Sequence, residues 1–490
     1  MSNTLDLLET NDFQTEPINL NGIITLIDSE TKELVNLVEI SSLPEVSPPV
    51  TSPPVPPVLV TPDNIMYFEK DSRFFKRDYR GVINPEWFGT GKTHVEIQAA
   101  IDIARPNDTI LIKGEYKCSD QITINKTLTF MGQNHINGND VGGNENSRIY
   151  FVDFENSLVD SCIESDTNLN IKNLAIFGSE IEGKTGVKVT NGALTLDSAT
   201  IQVFETGVEV TAGYYNKFLN SSIVSCQTCL VLNNCYNTNA TSLSIGAGYA
   251  EHAPNSKGIV LTDGTNLNMF GGSIEGFSEI GIDLSASRVS CFGTYFEGIF
   301  DEENENTCIK IQNNNCRVTA VSCHVYLTAG KANSFVHIPS TVASAHIHSK
   351  NNYFEYEPVN DWYTAVYRLA ATNFTNYNID ISGDNYQNDL VTGSSYISIT
   401  SSLLEKGKGI VQITYPSGHQ LAGIHLTNLN AISPYQYTDD ISKLQNGTIT
   451  TFRNNGGIDD DPLDLHTEPY GYNPYTVVLE NGAWKKIPKI

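Results

Sequence analysis

"GGSIEGFSEIGIDLSASRVSCFGTYFEG", residues 271–298, states one short pattern twice. Ser273-Ile274-Glu275-Gly276 returns as Tyr295-Phe296-Glu297-Gly298, an offset of 22 residues. The apolar member belongs to a longer ladder: Ile201, Ile223, Ile245, Ile274, Phe296, Val325 and Phe354, at intervals of 22, 22, 29, 22, 29 and 29. A second ladder sets a small residue before alternating apolar positions. It runs through Gly186-Val187, Gly207-Val208, Cys229-Leu230, Gly258-Ile259, Gly281-Ile282 and Cys308-Ile309, spaced 21, 22, 29, 23 and 27 apart. Two registers advancing together describe a chain that returns to the same face once per turn. Within each strand the period is two, so one side chain enters the core while its neighbours face outward. A single coil cannot bury its apolar side, whereas a stack of coils makes one continuous core. The pattern predicts an all-β parallel solenoid. A leucine-rich repeat would show a helical half, and a propeller would have a longer period; neither is present.

The same geometry makes the restated glutamate informative. With Ile274, Phe296, Val325 and Phe354 inward, the residues after them form an outer column of Glu275, Glu297, Tyr326 and Glu355. The residues before them form a parallel column of Ser273, Tyr295, His324 and Tyr353. Successive coils lie about 4.8 Å apart, so like charges there repel. Glycosidic bond cleavage is one reason to accept that cost. It needs a protonated acid and an ionised partner, and crowded carboxylates drive their proton affinities apart. Retaining enzymes hold the two carboxyls about 5–5.5 Å apart and inverting ones about 6.5–9.5 Å. Neighbouring Glu275 and Glu297 serve either geometry, and Glu297 with Glu355, two coils apart, suits inversion. Tyr295, Tyr326 and Tyr353 offer flat apolar faces to sugar rings, with His324 and Asp301 as further substrate-binding candidates. A lyase eliminating from a uronic acid is the alternative chemistry, with His324 or Tyr326 as base. It would need cations, and only Arg288, Arg317 and Lys350 flank the patch. The plainest account is that a glutamate before a glycine closes a strand, a habit that repeats copy without function.

Composition narrows the classes. The 490 residues carry 56 acidic and 30 basic side chains, a formal net charge of −26. Phosphate-backbone binding needs clustered Lys and Arg, which argues against nucleic acid. The acidic start, MSNTLDLLETND, has no basic segment followed by an apolar one, and no apolar run approaches membrane-spanning length, so neither a signal peptide nor membrane insertion is expected. Nine cysteines, with one isolated Cys226-Gln-Thr-Cys229, read as small buried side chains; no metal and no cofactor is implied.

Along the chain, residues 1–42 read as an N-terminal segment with one strand-forming patch. Residues 43–63 hold eight prolines, which predicts an extended spacer. The body spans 64–400. Near its start Ile97, Ala100, Ile101 and Ala104 mark one face of a short helix ending near Pro106, a natural cover for the exposed end of the stack. Residues 401–490 read as a cap or small C-terminal module, with one more strand in 407–415.

Trp87-Phe88-Gly89, Glu96-Ile97-Gln98-Ala99-Ala100-Ile101-Asp102 and Lys113-Gly114-Glu115-Tyr116 resemble the opening of pectin-lyase-like β-helices of bacteriophage tailspikes. The resemblance covers roughly residues 80–400, with Lys92-Thr93-His94 standing where the group has Asp-Asp-Thr. It implies a right-handed parallel β-helix in a homotrimer. It also implies an N-terminal segment that joins a phage tail or baseplate protein, and a body that binds and usually cleaves bacterial capsule or O-antigen polysaccharide. The C-terminal part would assist trimerisation. Such a protein is assembled in the host cytoplasm and carried on the virion to the bacterial surface. A non-catalytic adhesin of the same fold and a purely structural tail component remain alternatives on these residues.

Overall fold

The computed structural model describes residues 24–27, 34–41, 45–46, 58–59, 67–70, 73–77, 79–133, 147–152, 154, 159–247, 255–298, 306–327, 334–339, 341–342 and 344–356, and beyond these the strand segments named below. Its body is a parallel β-helix with three strands per coil, right-handed as parallel crossovers demand. One coil is Asn266–Phe270, Ser273–Phe277 and Ile280–Leu284; the next is Arg288–Phe292, Tyr295–Gly298 and Thr307–Ile311. Cys316–Val321, His324–Leu327 and Ser334–Ile338 follow, then Ser344–Lys350, Tyr353–Tyr356 and Ala365–Leu369. Corresponding strands pair in parallel, giving a first, a second and a third sheet along the stack.

Both sequence ladders are columns of the core. Ile201, Ile223, Ile245, Ile274, Phe296, Val325 and Phe354 stand directly opposite one another in the second sheet and are all buried. Val187, Val208, Leu230, Ile259, Ile282, Ile309 and Val336 do the same in the third. The small residue that opens each third strand sits at a sharp bend over the next coil. A Cβ on Gly258 would lie 2.5 Å from the Gly281 carbonyl oxygen, so side chains are excluded there. Cys229 and Cys308 take the equivalent place as buried thiols, and burial pushes both well above the ordinary thiol range. All nine cysteines are buried thiols, as compact packing predicts.

The corner between the first and second strands is closed by a left-handed residue in coil after coil: Asn220, Ser242, Gly271, Gly293, Ser322 and Asn351. Its amide donates to the carbonyl at the end of the next coil's first strand, as in Gly271 to Phe292 at 2.8 Å and Gly293 to Val321 at 3.0 Å. Asn and Gly tolerate that conformation best, which explains their frequency at these turns. The added residues of the longer repeats fall at the other corner. The second strand ends at Ala247, Gly298 and Leu327, and the third resumes at Lys257, Thr307 and Ser334.

The capping helix is His94–Ile103, and it lays Ile97, Ala100 and Ile101 on the first coils. Thr93 and Glu96 form a reciprocal capping box: the Thr93 amide donates to Glu96 Oε2 at 2.8 Å, and the Val95 amide to Thr93 Oγ1 at 3.2 Å. Thr93 is therefore the residue that starts the helix. N-terminal to it, Ile24–Ile27, Leu34–Ile40, Tyr67–Lys70 and Arg73–Arg77 form an antiparallel sheet over Ile24, Leu26, Leu37, Phe68 and Phe75. Strands on both sides of the proline-rich stretch thus share one sheet. Within that stretch Glu45–Val46 pairs with Val58–Leu59.

Parallel pairing also runs past residue 400. Ile410–Ile413, the strand expected in 407–415, lies against Asn376–Ser382, and His425–Thr427 against Ser395–Thr400. Ile449–Phe452, Tyr475–Glu480 and Ala483–Lys486 then make a three-stranded antiparallel sheet.

Candidate functional site

The second sheet presents the outer columns in register. Ser273, Tyr295, His324 and Tyr353 are consecutive direct partners, as are Glu275, Glu297, Tyr326 and Glu355. Each of these side chains flanks a fully buried Ile, Phe or Val, and each is partly or fully exposed. Asp301 lies outside the described residues.

Within the columns two carboxylates have specific partners. The Tyr295 hydroxyl donates to Glu297 Oε2 at 2.7 Å. His324 Nε2 lies 3.0 Å from Glu355 Oε2 across one coil step, an ion-pair distance when the imidazole is protonated. The approach is off the N–H direction and His324 Nε2 has no aligned hydrogen-bond acceptor, so the contact is electrostatic. His324 is also the middle member of an aromatic stack. Its ring centroid is 5.2 Å from Tyr295 and 5.3 Å from Tyr353, in edge-on and tilted packing. Such packing fixes the imidazole between two phenols while Tyr353 stays 41% exposed.

The Tyr295 phenol registers the charge of the whole patch. Burial, its hydrogen bond to Glu297, and the charges of Glu297, Glu275 and Glu355 together push it well above the ordinary tyrosine value. All three carboxylates therefore act on one hydroxyl, which stays a donor. Glu297 and Glu355 stand two coil steps apart, about 9.6 Å between backbones, with Tyr326 between them.

Glycine after the two glutamates does two different jobs. Gly276 is left-handed (φ 70°) at a bulge between Glu275 and Phe277, with the Ala247 carbonyl oxygen 2.6 Å from where a Cβ would be. Gly298 has ordinary backbone, but a Cβ there would meet the Asn306 side chain at 2.3 Å. The glycine thus answers to the fold, and the glutamate before it is left free.

Sequence reading missed the first sheet's outer face. Phe270 and Phe292 stack there at 5.3 Å with rings 10° from parallel, Phe270 being 46% exposed. They sit at the turn into Ser273 and Tyr295, beside the candidate site. A second stacked pair, Tyr214 and Tyr236 at 5.4 Å, lies lower on the stack.

No family model matches the chain, and no curated protein matches its sequence. Solved structures similar to it include the enzymatically active domain of tailspike protein 4 of bacteriophage CBA120, at 13% identity over 96% of this chain and 62% of that one, TM-score 0.46. ORF18 of Geobacillus virus E2 is similar at 15% identity over 63% and 62%, TM-score 0.38. A DFA-IIIase from Arthrobacter chlorophenolicus A6, in complex with GF2, is similar at 12% identity over 66% and 95%, TM-score 0.39. The chain thus spans less than two thirds of the length of the two phage structures.

Proposed function

We propose that this protein is a phage tailspike that binds bacterial surface polysaccharide and hydrolyses its glycosidic bonds. The observation that carries the reading is the pair of partnered carboxylates, Glu297 on Tyr295 and Glu355 on His324, flanking an aromatic wall. Two coil steps separate their backbones by about 9.6 Å, so carboxyls leaning toward each other reach the inverting range of about 6.5–9.5 Å, with room for a water between carboxyl and sugar. One carboxyl protonates the leaving oxygen as the other takes a proton from that water. Tyr295, Tyr326, Tyr353 and His324 bind the sugar rings, and Glu275 extends the acidic floor by one coil. The Trp87-Phe88-Gly89 opening and the capping helix support the phage lineage. On that lineage the N-terminal segment joins the tail or baseplate, and the working form is a homotrimer.

Purified protein incubated with capsule or O-antigen from candidate hosts is expected to release new reducing ends. Glu297→Gln and Glu355→Gln should abolish that release while still binding polysaccharide. Binding without any cleavage by the wild type would make the protein an adhesin. Products absorbing as unsaturated uronates would make it a lyase.

A further inference from the structure

The first sheet's outer face carries a feature that the carboxylate columns do not explain. Arg288, Arg317 and His346 stand directly opposite one another on three successive coils, the same coils that bear Glu297, Tyr326 and Glu355. Both arginines are exposed and His346 is half-buried. Among the described residues neither guanidinium pairs with a carboxylate. The outward positions of these strands read Arg288, Ser290, Phe292; Arg317, Thr319, Val321; His346, His348, Lys350, with no acid among them. That is the opposite of the chain as a whole, where 56 acidic residues face 30 basic ones. Like charges directly opposed across a sheet are destabilising. Burial, and then the charges of Arg317 and Arg288, hold the His346 imidazole below its ordinary proton affinity. A cheap remedy, one of the many glutamates at a neighbouring position, has not been taken.

We infer that this stack is a subsite for the carboxylates of an acidic polysaccharide. The guanidinium fork matches a carboxylate in two hydrogen bonds, and an arginine left without an internal partner keeps both donors for a ligand. Along the Arg288–Phe292 strand the arginine and the stacked Phe270–Phe292 pair are about 13 Å apart, four strand residues at ~3.3 Å each. A polysaccharide with some rings resting on the phenylalanines puts the acidic substituents of rings further along it over Arg288 and Arg317, while its other end turns the corner at Gly293 toward Tyr295 and Glu297. The inference rests on the polysaccharide-binding reading above and specifies its substrate class as acidic.

The test uses the full chain, with polygalacturonate and neutral dextran as probes and no cleavage required. Wild type should retard on polygalacturonate in affinity electrophoresis, less so as salt rises, and not on dextran. Arg288→Gln/Arg317→Gln should weaken polygalacturonate binding at least tenfold without lowering the melting temperature, because an opposed like-charge pair is removed. Lys188→Gln/Lys310→Gln, the same charge change on the third sheet, should leave it unchanged. Equal binding by wild type and the arginine double variant, or no preference of wild type for the anionic polymer, overturns the inference. So does a changed sedimentation coefficient in the arginine variant with unchanged binding, which would make the face a contact between copies. Cleavage of a neutral host polysaccharide together with absent polygalacturonate binding would sink this subsite while leaving the carboxylate site standing. Retained polygalacturonate binding in a protein that cleaves nothing would do the reverse.

Discussion

The lower and upper halves of the second sheet share a backbone and differ in what they show to solvent. In the lower coils the buried Ile201, Ile223 and Ile245 are flanked by Thr200 and Gln202, Ser222 and Val224, Ser244 and Gly246. In the upper coils the equally buried Ile274, Phe296, Val325 and Phe354 are flanked by Ser273 and Glu275, Tyr295 and Glu297, His324 and Tyr326, Tyr353 and Glu355. The inward position is apolar in both halves because each of these side chains is fully buried against its neighbours in the stack. The outward positions answer to no such demand. A patch that gathers carboxylates, phenols and an imidazole there is not demanded by the core beneath it.

That contrast can be broken most sharply by activity. Glu297→Gln or Glu355→Gln should lower polysaccharide cleavage by about 10²–10⁴, the usual contribution of a positioned acid or base, with little change in melting temperature. Val224→Gln, an outward change in the lower coils, should alter neither. An inactivating effect of Val224→Gln equal to that of Glu297→Gln would erase the distinction between the halves.

Inward substitutions should fail to distinguish them. Phe296→Ala in the upper coils should cost about 3–5 kcal/mol, and Ile223→Ala in the lower coils about 2–5 kcal/mol, read as shifts of the urea midpoint. If only the upper change destabilises, the core is not continuous.

Tyr295→Phe tests the join between the halves' two demands. It removes the donor to Glu297 and should cost roughly tenfold in cleavage, about one hydrogen bond to a charged group. It should also change the alkaline stability profile. Because the folded protein holds the Tyr295 proton more tightly than the unfolded chain does, its contribution is complete below pH ~10 and is lost as pH rises beyond that. Wild type should therefore lose stability more steeply above pH ~10 than the phenylalanine variant, measured by thermal melts across that range.

The smallest effect belongs to the cap. Thr93→Ala should cost about 1 kcal/mol of stability without touching cleavage. Burial alone would raise the Glu96 carboxyl, but hydrogen bonds from the Thr93 hydroxyl and amide and from the Glu96 and Gly91 amides hold it below its ordinary value. The stability it contributes is thus present above the ordinary carboxylate range and is lost as pH falls through the lowered value. Acid melts of wild type should show a step that Thr93→Ala flattens.

The ladders through Ile201–Phe354 and Gly186–Cys308 were readable because their inward residues stay alike from coil to coil, so period and register survive in one chain. The paired columns of Glu275, Glu297, Tyr326, Glu355 and Ser273, Tyr295, His324, Tyr353 follow from that register alone. The first sheet is harder to read because its two inward columns differ: Leu267, Val289, Val318 and Ile347 are uniformly apolar, whereas Phe218, Ala240, Met269, Cys291, Ala320 and Ser349 share neither size nor polarity. With one column irregular, Arg288 and Arg317 read as scattered flanking charges, and the Phe270–Phe292 stack leaves no periodic signal.

What the sequence determined by itself was the coil, its stacking interval and which side chains share a column, since periodicity is a property of residue order. Which glutamate oxygen meets the Tyr295 hydroxyl, that His324 leans on Glu355, and that the arginines face one another without an acid between them were decided only in three dimensions. Those depend on rotamers and on neighbours brought from other coils, and no local pattern encodes either.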